Sequence, residues 1–288
     1  MSSTAVPNPP TRSLTSFSVL TLDIYGTLID WESSVFEFLR PLISRLPDSH
    51  PLKASSDTQE GKIAAARSLL AVETGIQREK PDLKYDALLT ETYFRFAKEL
   101  GIARGGGGNS TPDLQQEAEA FGASVGSWIP FPDTIDAMNR LHKHFKLVPL
   151  SNVDLGSFRK TCEGPLRGIT PGFDAIYTAE DIGSYKPSLK NFDFLLEHLQ
   201  KDFGLSEGQV LHTANSLTYD HVPAKQMGLT SVWISRRHES KTELAGDADQ
   251  MIQDGKVGFS WRFRTLGEMA DAVEREIAMK EVDRNLDI

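Results

Sequence analysis

The stretch "FSVLTLDIYGTLIDW" (17–31) decides the fold. Its first part, "FSVLTLD" (17–23), is a short apolar, β-branched run that stops at an acid and passes at once into a glycine turn, the pattern of a buried strand ending in a functional loop. After Trp31 the period changes. "SSVFEFLRPLISRL", "KIAAARSLLAVE" and "YDALLTETYFRFAKELGI" carry apolar residues at three- and four-residue spacing, the mark of amphipathic helices. "ARGGGGNSTPD" (103–113) reads as a flexible loop between them, too far from a strand to cradle a phosphate.

From "WIPFPDT" (128–134) onward strands and helices alternate, with strands in "KLVPLSN", "FDAIYTAEDIG", "QVLHTAN" and "SVWISR", and a last helix around "LGEMADAVEREIA". Alternation of this length implies right-handed crossovers and a parallel sheet covered on both faces. The expected architecture is therefore α/β: a doubly wound, Rossmann-like core formed by 17–31 and 129–288, a helical insertion over 32–128, and a disordered polar tail over 1–16.

Composition narrows the function. Forty acidic residues against 31 basic ones give a net charge of −9 with no basic block, which argues against nucleic acid and anionic membranes as partners. The single cysteine, Cys162, permits neither an intramolecular disulfide nor a cysteine metal cluster, and the chain has neither a secretory leader pattern nor an apolar run of spanning length. A cytoplasmic protein that takes a small-molecule substrate is expected.

In sheets of this type ligands bind beyond the carboxyl ends of the strands. Those ends carry Asp23 with Thr27, then Ser151 and Asn152, then Lys186 in "SYKP", then Asn215 and Asp220 in "ANSLTYD". Taken singly each has a structural reading, such as a turn acid, a helix N-cap, a solvated loop charge or a first-turn helix acid. Together they deliver acids, a hydroxyl, amides and a cation to one rim.

The combination of "LDIYGTLIDW", "LVPLSNVD", "SYKP" and "SLTYDHVPAKQMGL…VWISR" resembles the haloacid dehalogenase superfamily, over nearly the whole chain from residue 17. Within it the chain looks like the type II, L-2-haloacid dehalogenase branch, in its fungal form, with 32–128 at the cap position. The resemblance implies that Asp23 is a nucleophile giving an aspartyl ester, that Lys186 orients Asp23 and a substrate carboxylate, and that Asp220 handles the hydrolytic water. It implies that Ser151 and Asn152 contact the substrate carboxylate and departing halide, and that Tyr25 and Tyr219 help to wall the pocket, with Asn215 beside them. A homodimer would fit the family.

Two positions after the nucleophile, phosphatases of the superfamily have a second aspartate, and this chain has Tyr25. A phenol is a poor replacement for that acid, whereas a halide leaves without a proton. Two carboxylates with an ammonium between them make a poor magnesium cage, so the expectation is catalysis with no metal and no cofactor. The chain departs from the branch at Phe192, where a tyrosine is usual, and at Leu217, where an asparagine is usual. No residue aligns cleanly with the halide-binding arginine of the bacterial enzymes, and Arg67 is the candidate. These departures keep open a non-halogenated electrophile such as an epoxide, and a magnesium-dependent phosphatase ranks third. "GASVG" (122–126) matches the nucleophile elbow of serine hydrolases, but its helical surroundings point to packing glycines. His212 falls inside a strand, and His221, next to Asp220, reads as a helix-surface histidine.

Overall fold

The computed structural model describes residues 6–80, 82–102, 114–236, 241–242 and 246–286. The 103–113 segment lies outside the described residues. The chain divides into two compact units, one formed by 1–29, 130–152 and 166–288 and the other by 30–129 and 153–165.

The first unit is built on a six-stranded sheet: β1 (Val19–Leu22), β2 (Lys146–Ser151), β3 (Tyr177–Thr178), β4 (Val210–Ala214), β5 (Thr230–Ile234) and, after a two-residue antiparallel pair β6 (Lys241–Thr242) and β7 (Gly246–Asp247), β8 (Trp261–Phe263). Its order is β3-β2-β1-β4-β5-β8 and every pairing in it is parallel. The chain winds outward from β1 through β2 to β3, then returns to β4 and winds the other way. Its switch point therefore lies between β1 and β4, where a crevice opens beyond the strand ends.

β1 is buried at every position, as a central strand covered on both faces must be. On one face, Val19, Val148, Leu150 and Val210 pack with Phe192, Leu195 and Leu199 of the helix Leu189–Phe203. That helix stops at Gly204, whose φ of 67° is the left-handed C-cap conformation glycine adopts without penalty. Trp233, Phe259, Leu217 and Val257 form a second cluster. The sequence reading placed a full strand at "FDAIYTAEDIG". The structure keeps two residues of it, because Thr178 starts a helix through a reciprocal capping box with Asp181.

The tail expectation is corrected for residues 6–16. Leu14 is buried, and the Leu14 and Thr15 amides donate to the carboxylate of Glu276, at 3.2 and 3.1 Å, on the helix Leu266–Leu286. Residues 1–5 lie outside the described residues.

The second unit contains the helices Trp31–Ser44, Gln59–Glu79, Tyr85–Glu99 and Leu114–Gly122, as the 3.6-residue period predicts. It also contains Leu155–Glu163, a helix that the sequence reading assigned to the core. Close approach explains the assignment: a Cβ on Gly126 would stand 2.5 Å from Lys160 Cβ. A Cβ on Gly122 would stand 2.1 Å from Thr90 Oγ1, so both glycines of "GASVG" serve packing. Ser124 between them is buried; it donates to Phe121 O at 2.7 Å and accepts from Trp128 Nε1 at 2.9 Å, and so is no exposed nucleophile.

Glu73 is buried in this unit, and burial pushes its carboxyl up to about 7 against a hydrogen bond from Tyr85. Two outcomes are expected. Leu14→Ala should cost about 2–4 kcal/mol in denaturant unfolding, because the N-terminal turn belongs to the core. A carboxyl raised in the native state makes its contribution to stability fall as pH rises from 4.5 through about 7, so wild type should lose about 2–3 kcal/mol relative to Glu73→Gln across that window.

Candidate active site

β1 ends at Leu22, and the Asp23 amide extends the ladder by donating to Thr213 O on β4, at 3.1 Å. The chain then turns back on itself: Leu28 and Ile29 donate to Ile24 O, and Gly26, at φ 98°, donates to Ile29 O at 2.8 Å. That φ lies where only glycine is unstrained. The Gly26 and Thr27 amides are spent inside the turn, and side chains hold Asp23. Thr27 Oγ1 donates to Asp23 Oδ2 at 2.7 Å while accepting from the Asn215 amide at 2.8 Å, and Lys186 Nζ donates to Asp23 Oδ1 at 2.9 Å.

The same ammonium donates to Asp220 Oδ1 at 2.7 Å. Two carboxylates and one cation thus meet at the switch point, delivered by three separate chain segments. Their exposure differs in a way that assigns roles, since the Asp23 side chain is 11% exposed, Lys186 2% and Asp220 1%. Asp23 is the member a substrate can reach.

Electrostatics separates the two acids. Burial pushes Asp23 above the ordinary aspartate range; Lys186 pulls it down, Asp220 pushes it up, and the balance remains raised. Burial would also raise Asp220, but Lys186 and a hydrogen bond from His212 overcome it and hold that carboxyl down at about 2. Lys186, which burial alone would discharge, is kept charged by Asp220 and Asp23.

The other predicted residues take varied places. Ser151, at the end of β2, is buried, and its Oγ has no hydrogen-bond partner among the described residues. Asn152 donates from Nδ2 to Lys186 O at 3.0 Å and accepts from the Lys186 amide at 2.7 Å, so it clamps the main chain that carries the ammonium. Asn215 Nδ2 donates to Ile234 O on β5 at 2.8 Å, tying two strand ends together. Tyr25 and Tyr219 are half-buried on the turns after β1 and β4. Arg67 lies in the helical unit, where its Nε donates to Glu32 at 3.1 Å; the candidate halide cation is already paired with a buried carboxylate.

Arg236 escaped the sequence reading, as did the contacts of the two histidines it named. Arg236, after β5, donates from Nε to Thr27 O at 2.9 Å and from Nη1 to Asp133 at 2.6 Å, with its guanidinium 4.0 Å from the centre of the Phe131 ring. It pins the turn that follows Asp23, and its place just past a strand's carboxyl end was the available signal. His221 is wholly buried and not on a helix surface, with Nδ1 on Ser231 Oγ at 2.9 Å and Nε2 on Ala214 O at 3.0 Å; burial lowers it to about 4. The histidine that touches Asp220 is His212, through Nε2 at 3.0 Å.

Among the described residues, no helix is long and apolar enough to cross a membrane. A family model for haloacid dehalogenase-like hydrolases matches residues 17–228. No curated protein matches this chain. Among solved structures, an L-2-haloacid dehalogenase superposes with a TM-score of 0.64 at 19% identity, over 88% of this chain and 98% of that one. The L-2-haloacid dehalogenase from Xanthobacter autotrophicus with chloropropionic acid covalently bound gives 0.61 at 16% identity, over 90% and 98%. A HAD-type protein bound to magnesium, YfnB from Bacillus subtilis, gives 0.60 at 19% identity, over 90% and 99%. At these identities the likeness is one of fold.

Lys186→Met should leave two buried carboxylates without their cation. Urea unfolding at pH 7 should show a loss of about 3–5 kcal/mol. In that variant both carboxyls are raised, so the native state binds more protons than the unfolded chain and the loss should shrink as pH is lowered.

Proposed function

The chain belongs to the haloacid dehalogenase-like hydrolases, and from that premise we propose that it hydrolyses a small 2-haloacid through an ester on Asp23, without a metal. The observation that carries this reading is the pairing of Asp23 with Lys186 and Thr27, in a chain that has Tyr25 where a phosphatase needs an acid.

A carboxylate oxygen of Asp23 attacks C2 of the substrate, the new C–O bond forms as the carbon–halogen bond breaks, and halide leaves with the electron pair. Both Asp23 oxygens are fixed by donors, so the nucleophile starts in a defined orientation. Ser151 Oγ, buried and without a partner, is the hydroxyl we assign to the substrate carboxylate. In the second step water adds to Cγ of the ester while Asp220 Oδ2, which has no protein partner among the described residues, takes the water's proton. As the adduct collapses, Asp220 returns that proton to the departing alkoxide oxygen, and the 2-hydroxy acid leaves with the original Asp23 oxygen.

A second reading draws on Phe192, Leu217 and the engagement of Arg67 with Glu32. With those groups withdrawn from halide recognition, the same nucleophile would open a non-halogenated electrophile such as an epoxide.

Single-turnover reaction with each enantiomer of 2-chloropropionate in heavy-oxygen water should place the isotope in the peptide that holds Asp23, and Asp23→Asn should lower turnover by at least about 10³-fold. Turnover retained by Asp23→Asn would refute the ester route. Release of phosphate from an aryl phosphate that a chelator abolishes would favour a phosphatase instead.

A further inference from the structure

A histidine in the middle of a buried parallel strand is costly unless both ring nitrogens are satisfied. His212 is fully buried on β4, in register with Thr21 on β1. Register places the two side chains on one face of the sheet, where Thr21 Oγ1 lies 2.9 Å from Nδ1 and Phe192 meets the ring edge-on, with centroids 5.3 Å apart. On the other side of the ring, Nε2 is 3.0 Å from Asp220 Oδ1.

These contacts fix the tautomer. The Asp220 carboxylate only accepts, so Nε2 carries the proton and donates it; Nδ1 then accepts from the Thr21 hydroxyl. Asp220 Oδ1 consequently receives two donors, Lys186 Nζ at 2.7 Å and His212 Nε2, while Oδ2 receives none from the described residues.

We propose that His212 is a positioning residue: by donating to Asp220 Oδ1 it turns that carboxylate so that Oδ2 stays open for the hydrolytic water, and it lets Lys186 serve Asp23 and Asp220 together. This role rests on the reading of Asp220 as the group that activates water. His212 does not itself accept the proton, because its nitrogen facing Asp220 already bears one. Removing the donor leaves Lys186, among the described residues, as the one support of Asp220 Oδ1, in a setting whose other ionisable groups are Asp23 and His221. Asp220 should then titrate higher, draw harder on the ammonium, and activate water less well. The deficit falls on the second chemical step, since the first uses Asp23.

The test compares wild type, His212→Leu and His212→Gln. Gln can place a donor near the site of Nε2. In His212→Leu, hydrolysis of the ester should slow about ten- to a hundred-fold while its formation from 2-chloropropionate changes little. The Asp23 adduct should therefore accumulate by mass analysis, kcat and KM should fall together with kcat/KM nearly constant, and Gln should recover most of the rate. Carboxyl-carbon NMR, with Asp220 assigned through Asp220→Asn, should show its titration displaced upward in Leu and returned in Gln. If Leu fails to fold, ring-nitrogen NMR of wild type still decides, because the Nε2–H tautomer is expected at pH 7 and the Nδ1–H form would overturn the proposal. Unchanged Asp220 titration in Leu, or equal slowing of both steps without recovery in Gln, would also overturn it. Should wild type form no adduct, the ester reading fails, and the two NMR measurements still decide whether His212 holds Asp220.

Discussion

One ammonium shared by two buried carboxylates is the constraint on which the strand-end site of the first unit depends. Removed from water, two aspartates at this spacing could not both remain ionised, and a lone lysine could not remain charged. Each group makes the others tolerable. The arrangement is uneven, however: Asp220 takes a histidine as well as the lysine, while Asp23 takes a hydroxyl and keeps some exposure. Unevenness of this kind is what pushes the titrations of two chemically identical side chains apart, Asp23 up and Asp220 down.

The rest of the first unit supplies that meeting. Its strand order reverses direction between β1 and β4, so the acid after one strand and the turn after the other face a common crevice. Asn152, Asn215 and Arg236 then spend their side chains on main-chain groups of the converging segments. Three residues of conspicuously polar type are therefore braces, and they fix the segments that carry Asp23, Lys186 and Asp220.

Much of this was legible in the sequence, and for a physical reason. Alternating strand and helix periods, with a polar residue at each strand's carboxyl end, leave few topologies, and they put Asp23, Thr27, Lys186 and Asp220 on one rim. Contacts between strands were not legible. His221 drew attention as the neighbour of Asp220 in the chain, whereas His212, eight residues away along the chain, is the one hydrogen-bonded to it. Register, which places Thr21 opposite His212, is a property of paired strands and has no signature in either strand alone. Short elements were misjudged for a similar reason. The two-residue β3 is read from its pattern as a full strand, the three-residue β8 carries too little periodicity to register, and the N-terminal turn hides a single buried leucine among polar residues.

The boundary between the two units has its own consequence. Because residues 153–165 cluster with the helical unit, the chain passes between units four times, at 29/30, 129/130, 152/153 and 165/166. An exchange of the helical unit among relatives that moves residues 30–129 alone would strand Gly126 without Lys160, the neighbour whose Cβ leaves room only for a glycine there. Recombination of this scaffold, natural or engineered, has to carry both pieces as one module, and the turn after β2 that bears Asn152 sits at the seam.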